Sequence, residues 1–166
     1  TDAFGIALAG SYAKRKFGSD NVETGGSWDF EEGLEEFELR DYQISRERIG
    51  LALNLDYRPG NNSEYYLRSL YSRFTDSEQR QGLIVELADP LPAGDTGEAT
   101  LIRSLKQRDE AQSISALVLG TKQLVGNWEW LLEAGTSKAD EDTPFNIAAA
   151  DFAQDFDAGI GFTGGQ

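Results

Sequence analysis

Acidic clusters are the residues of this chain whose chemistry has to be judged first. Asp140-Glu141-Asp142 offers oxygen ligands to a hard cation such as calcium. It lacks the spaced acids of a helix–loop–helix calcium site, so no metal is expected. Glu31/Glu32 and Glu35/Glu36 are carboxylate pairs of the type used in glycoside chemistry. That chemistry needs defined carboxyl separations on rigid elements, and these neighbours fall in a stretch expected to be loop. They read as solvated acidic surface. Histidine and cysteine are both absent, which removes the commonest general base and every thiolate or imidazole ligand. Gly25-Gly26 and Gly164-Gly165 lack the spacing and the lysine of a phosphate-cradling loop. No catalytic residue, metal or cofactor is expected, and the chain does not read as an enzyme.

Binding is the chemistry that remains. Trp28, Phe30, Phe37 and Phe145 are aromatics set inside the acidic stretches, and they are the candidate ligand contacts. Arg40, Arg46, Arg48, Arg68, Arg73, Arg80, Arg103, Lys106 and Arg108 lie among acids such as Glu47, Asp76, Glu78, Asp109 and Glu110. Their expected role is cross-strand pairing, worth a few tenths to about 1 kcal/mol each. The functional alternative is a charged inner wall that steers an anionic ligand.

The elements that must carry these residues are strands. Ile49, Leu51, Leu53, Leu55 and Tyr57 alternate with Arg48, Gly50, Ala52, Asn54 and Asp56. With a side-chain period of two, one face is apolar and the other polar. Such a run matches a tilted strand crossing a bilayer, which takes about nine to eleven residues. Phe4, Ile6, Leu8 and Tyr12 repeat the pattern, as do Trp128, Trp130, Leu132 and Ala134. The runs 64–74 and 113–121 are also extended but carry apolar residues on both faces, so Leu70 or Leu117 would face inward. A further run begins near Phe156 to Phe162, giving five or six strands.

Punctuation between the runs alternates. Short turns are expected near 59–63 and 123–127, where Pro59-Gly60-Asn61-Asn62-Ser63 and Gly126-Asn127 supply turn formers. Long acidic loops are expected near 18–41, 76–98 and 138–157, the first holding nine acids against one base. A helical turn over 31–39 is conceivable within it, since Leu34 and Phe37 are three apart. Outer-membrane barrels have this asymmetry of short turns and long outer loops. Phe4, Tyr57, Tyr65, Tyr66, Trp128 and Trp130 cluster at the short-turn end, where barrels place an aromatic girdle.

Composition sets outer limits. The net charge of −14 opposes nucleic-acid binding, which needs a basic footprint. No apolar run is long enough for a transmembrane helix. The first residue is not methionine, and the chain reads as a piece of a longer precursor.

Residues 42–81, with Arg46-Glu47-Arg48-Ile49-Gly50, Leu55-Asp56-Tyr57-Arg58-Pro59 and Tyr71-Ser72-Arg73-Phe74, resemble a hairpin from the barrel of TonB-dependent outer-membrane receptors. Residues 101–144 resemble the next hairpin through their charge pattern and tight turn. The resemblance implies a 22-stranded barrel in the bacterial outer membrane, closed by an N-terminal plug and coupled to the TonB system. It implies uptake of a bulky nutrient ligand: an iron–siderophore complex, cobalamin or an oligosaccharide. Plug and TonB-contacting segment have no counterpart in these residues, so no energy-coupling residue carries over.

The expected fold is thus all-β, an antiparallel meander of long strands forming part of a transmembrane β-barrel. Its partners would be the nutrient ligand, outer-membrane lipid, the remaining strands and the plug. The alternatives are an autonomous small outer-membrane barrel or adhesin, and a soluble β-sandwich module with the Ile49 face packed on a second sheet.

Overall fold

The computed structural model describes residues 3–24, 28–29 and 31–162. Among them strand accounts for 92% and there is no helix. Five long strands, β1 (Phe4–Glu23), β3 (Gly33–Gly60), β4 (Ser63–Leu91), β5 (Thr96–Val125) and β6 (Trp128–Gly161), form one antiparallel meander in the order β1-β3-β4-β5-β6. A two-residue strand, β2 (Trp28–Asp29), pairs with the start of β3, setting Trp28 opposite Leu34. The sheet is not closed.

Two expectations about connections need correction. The stretches 18–41, 76–98 and 138–157 are not long loops. They are mostly strand, and among the described residues the later strands are joined by connections at 61–62, 92–95 and 126–127. The helical turn over 31–39 is absent as well, because β3 begins at Gly33. The physical reason is that a strand's backbone is satisfied by its ladder, not by its side chains. Polar composition argues against a buried strand, and these strands are largely unburied. The run near Phe156 to Phe162 is the continuation of β6, not a separate strand.

The chain divides into two units. The first comprises Thr1–Arg15, Arg46–Asp76 and Glu110–Pro144. It contains the turns at 61–62 and 126–127, close to the expected positions. Gly126 has φ 62° in the two-residue β5–β6 hairpin, the left-handed value that glycine supplies at the first position of such turns.

Side-chain contacts give the register of this unit. Lys14 pairs with Glu47 at 3.1 Å, and a Cβ at Gly10 would lie 3.6 Å from Leu51. Leu8 therefore lies opposite Leu53. Tyr57 stacks on Tyr65 with centroids 6.2 Å apart, while Arg48 sits 4.9 Å above the Phe74 ring. Ser63 donates to Gln123 Oε1 at 2.6 Å, and Gly120 lies against Tyr66, which sets Ser69 opposite Leu117. The Ile49 stripe thus continues through Leu67 and Tyr71 into Leu117 and Leu119. Leu117 belongs to the apolar stripe, and Leu70 to the opposite, polar face.

That stripe is not covered. Leu8 is 77% exposed, Leu51 50% and Trp128 72%. Among the described residues there is one sheet and no second layer. The opposite face carries the polar contacts: Arg68 to Asp56 at 2.5 Å, Arg46 to Asp76 at 3.2 Å, and the Tyr66 hydroxyl donating to Glu133. Arg46 and Arg68 thus take the cross-strand role expected for them.

Candidate functional site

The second unit, Lys16–Ser45, Ser77–Asp109 and Phe145–Gln166, contains the candidate site. Its sequence carries eighteen acids against six bases, compared with eleven against nine in the first unit. Most of the net negative charge therefore belongs to this half. The unit also contains a small apolar core, with Leu34 5% and Ala99 4% exposed.

Beside Leu34 is a recess of about 580 Å³ lined by Trp28, Leu34, Phe37, Val85, Leu87 and Phe162, together with Thr24, Ile160 and Gly161. Local pairing builds it. The β2–β3 ladder carries Trp28 to Leu34. The last described residue, Phe162, is held by its carbonyl, which accepts from Gly94 N–H at 2.8 Å. Its ring then meets Trp28 edge-on, with centroids 6.1 Å apart and planes at 61°. Apolar walls with a single hydroxyl, Thr24, suit binding of an apolar group.

Charge surrounds this apolar surface. Glu38 is only 3% exposed. Arg40 donates to it at 2.5 Å and also bridges to Glu23. Glu38 Oε1 has no partner among the described residues and lies 3.2 Å from where a Cβ on Gly82 would stand. Burial of a carboxylate is tolerated here because the guanidinium offsets it, and the Arg40 proton is held more tightly than usual, chiefly through its hydrogen bond to Glu38. Partial burial, then repulsion from Glu86 and Glu38, raises the Glu36 carboxyl above its ordinary value.

A raised carboxyl has a definite consequence for stability. The folded state favours protonated Glu36, so its unfavourable contribution grows as pH climbs from the ordinary carboxyl range through the raised one. Glu36→Gln is expected to stabilise the protein at pH 7 by about 0.5 kcal/mol, the scale of relieving like charges on a sheet. The gain should shrink on acidification towards pH 4. Urea unfolding at both pH values measures it, and an equal gain at both would contradict the assignment.

Of the four aromatics singled out in the sequence, the structure brings Trp28 and Phe37 to one recess. Phe145 is on β6, 42% exposed and not among the lining residues. Phe30 lies outside the described residues. Leu34, Val85, Leu87, Ile160 and Phe162, with Thr24 and Gly161, are the lining residues that sequence reasoning missed. The signal was present in Leu83-Ile84-Val85-Glu86-Leu87, a short apolar run with β-branched Ile84 and Val85 inside the 76–98 stretch.

The acidic triplet does not form a centre. Asp140 pairs with Lys138 at 2.8 Å, and Glu141 accepts from Gln112 at 3.3 Å. Among the described residues, no group of three or more acids is placed to hold a metal ion. Compared with protein-family profiles and with curated proteins, the chain matches none.

Proposed function

We propose that this chain is a wall segment of a bacterial outer-membrane β-barrel receptor. It would belong to an energy-coupled uptake system of the TonB-dependent kind, acting on a bulky nutrient. The observation that carries the membrane part is the uncovered stripe and the way it crosses the sheet. Phe4, Tyr57 and Tyr65 share one row with Thr121 and Leu132 by the register above. On β6, however, the apolar residues reach beyond that row to Trp130 and Trp128 and stop at Ala134. The band is therefore oblique to the rows of paired residues, as strands tilted in a bilayer require.

The dimensions support the same reading. From Ile49 to Tyr57 is about 27 Å along a strand, or about 20 Å at a tilt of ~40°, near the ~25 Å band of outer-membrane barrels. Aromatics bound it, with Phe4, Tyr57, Tyr65 and the two tryptophans on one side and Tyr12 and Tyr71 on the other. Beyond Tyr12 comes the Lys14–Glu47 pair, a polar limit to the apolar band. Strands of 28 to 34 residues are about three times what a crossing needs. The excess, acid-rich, would stand outside the membrane as strand in place of loop. Open sheet edges in lipid cost several kcal/mol per unpaired group, so β1 and β6 call for further strands. The uptake role is supported by the resemblance over residues 42–81 and 101–144 alone.

These 166 residues contain no cysteine, so single cysteines introduced here are read against a full-length background in which any others are replaced. Single cysteines at 51, 53, 55, 67 and 119 in the full-length protein, spin-labelled in bilayers, should be accessible to oxygen and shielded from a water-soluble nickel chelate. Cysteines at 52 and 54 should show the reverse. A uniform or inverted pattern would sink the membrane reading. Uptake that persists after collapse of the proton-motive force would remove the energy-coupled part.

A further inference from the structure

We infer that the Trp28–Phe37 recess takes an apolar organic cation, a molecule with a flat or alkylated body and a positive charge. This deepens the uptake reading and depends on it only for biological role, since the chemistry stands on the recess itself. Three rings, Trp28, Phe37 and Phe162, line one hollow of about 580 Å³, which falls within the usual size of small-molecule sites. Aromatic faces attract cations, tryptophan most strongly, and desolvation strengthens the attraction. No lining residue is basic.

The surroundings act in the same direction. Glu35, Glu36 and Glu38 flank Phe37 along β3, and Glu86 lies between Val85 and Leu87 on β4. Arg40 is the nearest base in sequence and is already engaged by Glu38 and Glu23. Glu36 is repelled by Glu86 and Glu38, so the negative field reaches the β3–β4 ladder beside the recess. A polyanionic metal chelate would meet the opposite of what it needs, whereas an organic cation gains from both walls and field.

The test uses the full-length protein in nanodiscs with 5-fluorotryptophan incorporated, the Trp28 resonance being assigned by Trp28→Phe. Three naphthalene probes of one shape are titrated: a trimethylammonium, a neutral alcohol and a sulfonate. A saturable shift of the Trp28 resonance reports site occupancy separately from partition into lipid. The cation should bind at least tenfold tighter than the sulfonate at low salt, with the alcohol between. The gap should close in 0.5 M salt as charges are screened. Phe37→Ala should weaken the cation about tenfold, and Phe145→Ala should leave it unchanged. Leu87→Gln serves as the second variant if Phe37→Ala does not fold, with the same tenfold loss expected. Equal affinities, a preference for the sulfonate, or no saturable shift at millimolar probe would overturn the proposal. The predicted charge order in a protein that proves not to reside in the outer membrane would overturn the uptake reading alone.

Discussion

On the proposed membrane reading, Leu53→Arg should cost about 2–4 kcal/mol of folding free energy in bilayers, the penalty for a cation on a lipid-facing barrel surface near mid-membrane. Leu53 lies opposite Leu8, itself 77% exposed, and its carbonyl accepts from Ser69 Oγ at 3.0 Å. Neither neighbour offers a counter-charge. Arginine next door, at Asn54, points to the polar face and should cost only about 0.5 kcal/mol, mainly through Arg68 on the adjacent strand. Leu53→Phe should be close to neutral, because lipid accommodates added volume where a packed core would resist it. Denaturant titration of the protein in lipid vesicles, following the folded band by heat-modifiable gel mobility, measures all three. Similar losses at 53 and 54 would refute the assigned faces. A large loss for Leu53→Phe would point to a packed interior in place of lipid.

Gly120→Val should be about as damaging, for a steric reason. The Tyr66 ring lies across Gly120, so an added Cβ would fall well inside contact distance of Tyr66 Cζ. The tyrosine is anchored beyond the glycine, where its hydroxyl donates to Glu133, and Arg68 stands 5.0 Å from its ring. One side chain thus links β4, β5 and β6. Overpacking typically costs 1–3 kcal/mol, and expulsion of the ring would also lose a charged hydrogen bond of roughly 1.5–3 kcal/mol. A loss of about 3 kcal/mol is expected for Gly120→Val and about 1.5 for Tyr66→Phe. In a Tyr66→Ala background, Gly120→Val should cost less than ~1 kcal/mol, since the space is then vacant. That double-mutant cycle isolates the coupling. Additive losses would mean that the ring and the glycine do not meet.

The alternation of Ile49 to Tyr57 announces a strand because each residue's side follows from its position along the chain. Gly126-Asn127 announces a hairpin because its backbone requirement is local. The acidic stretches were illegible by the same logic. Glu31 to Asp41 and Asp76 to Glu98 bury only scattered residues, among them Leu34, Glu38 and Asp76, so the hydrophobic period is weak, and what makes them strand is a ladder with a partner distant in sequence. Arg40 paired with Glu23, Lys106 beside Glu78 at 4.0 Å, and Thr100 donating to Asp155 at 2.8 Å are cross-strand contacts that no local window contains. The candidate site was half-visible: Trp28 and Phe37 stand out as aromatics among acids, but Val85, Leu87 and Phe162 join them only through pairing.

What the chain alone determined is the set of local preferences: strand period, turn positions, the apolar stripe and the lack of histidine and cysteine. All of these depend on residues within a few positions of one another. Tertiary structure decided how far each strand extends, that the stripe continues unbroken from β1 to β6, and which rings meet at the recess. Those outcomes turn on register between segments distant in sequence, and register is settled by many cross-strand contacts acting together.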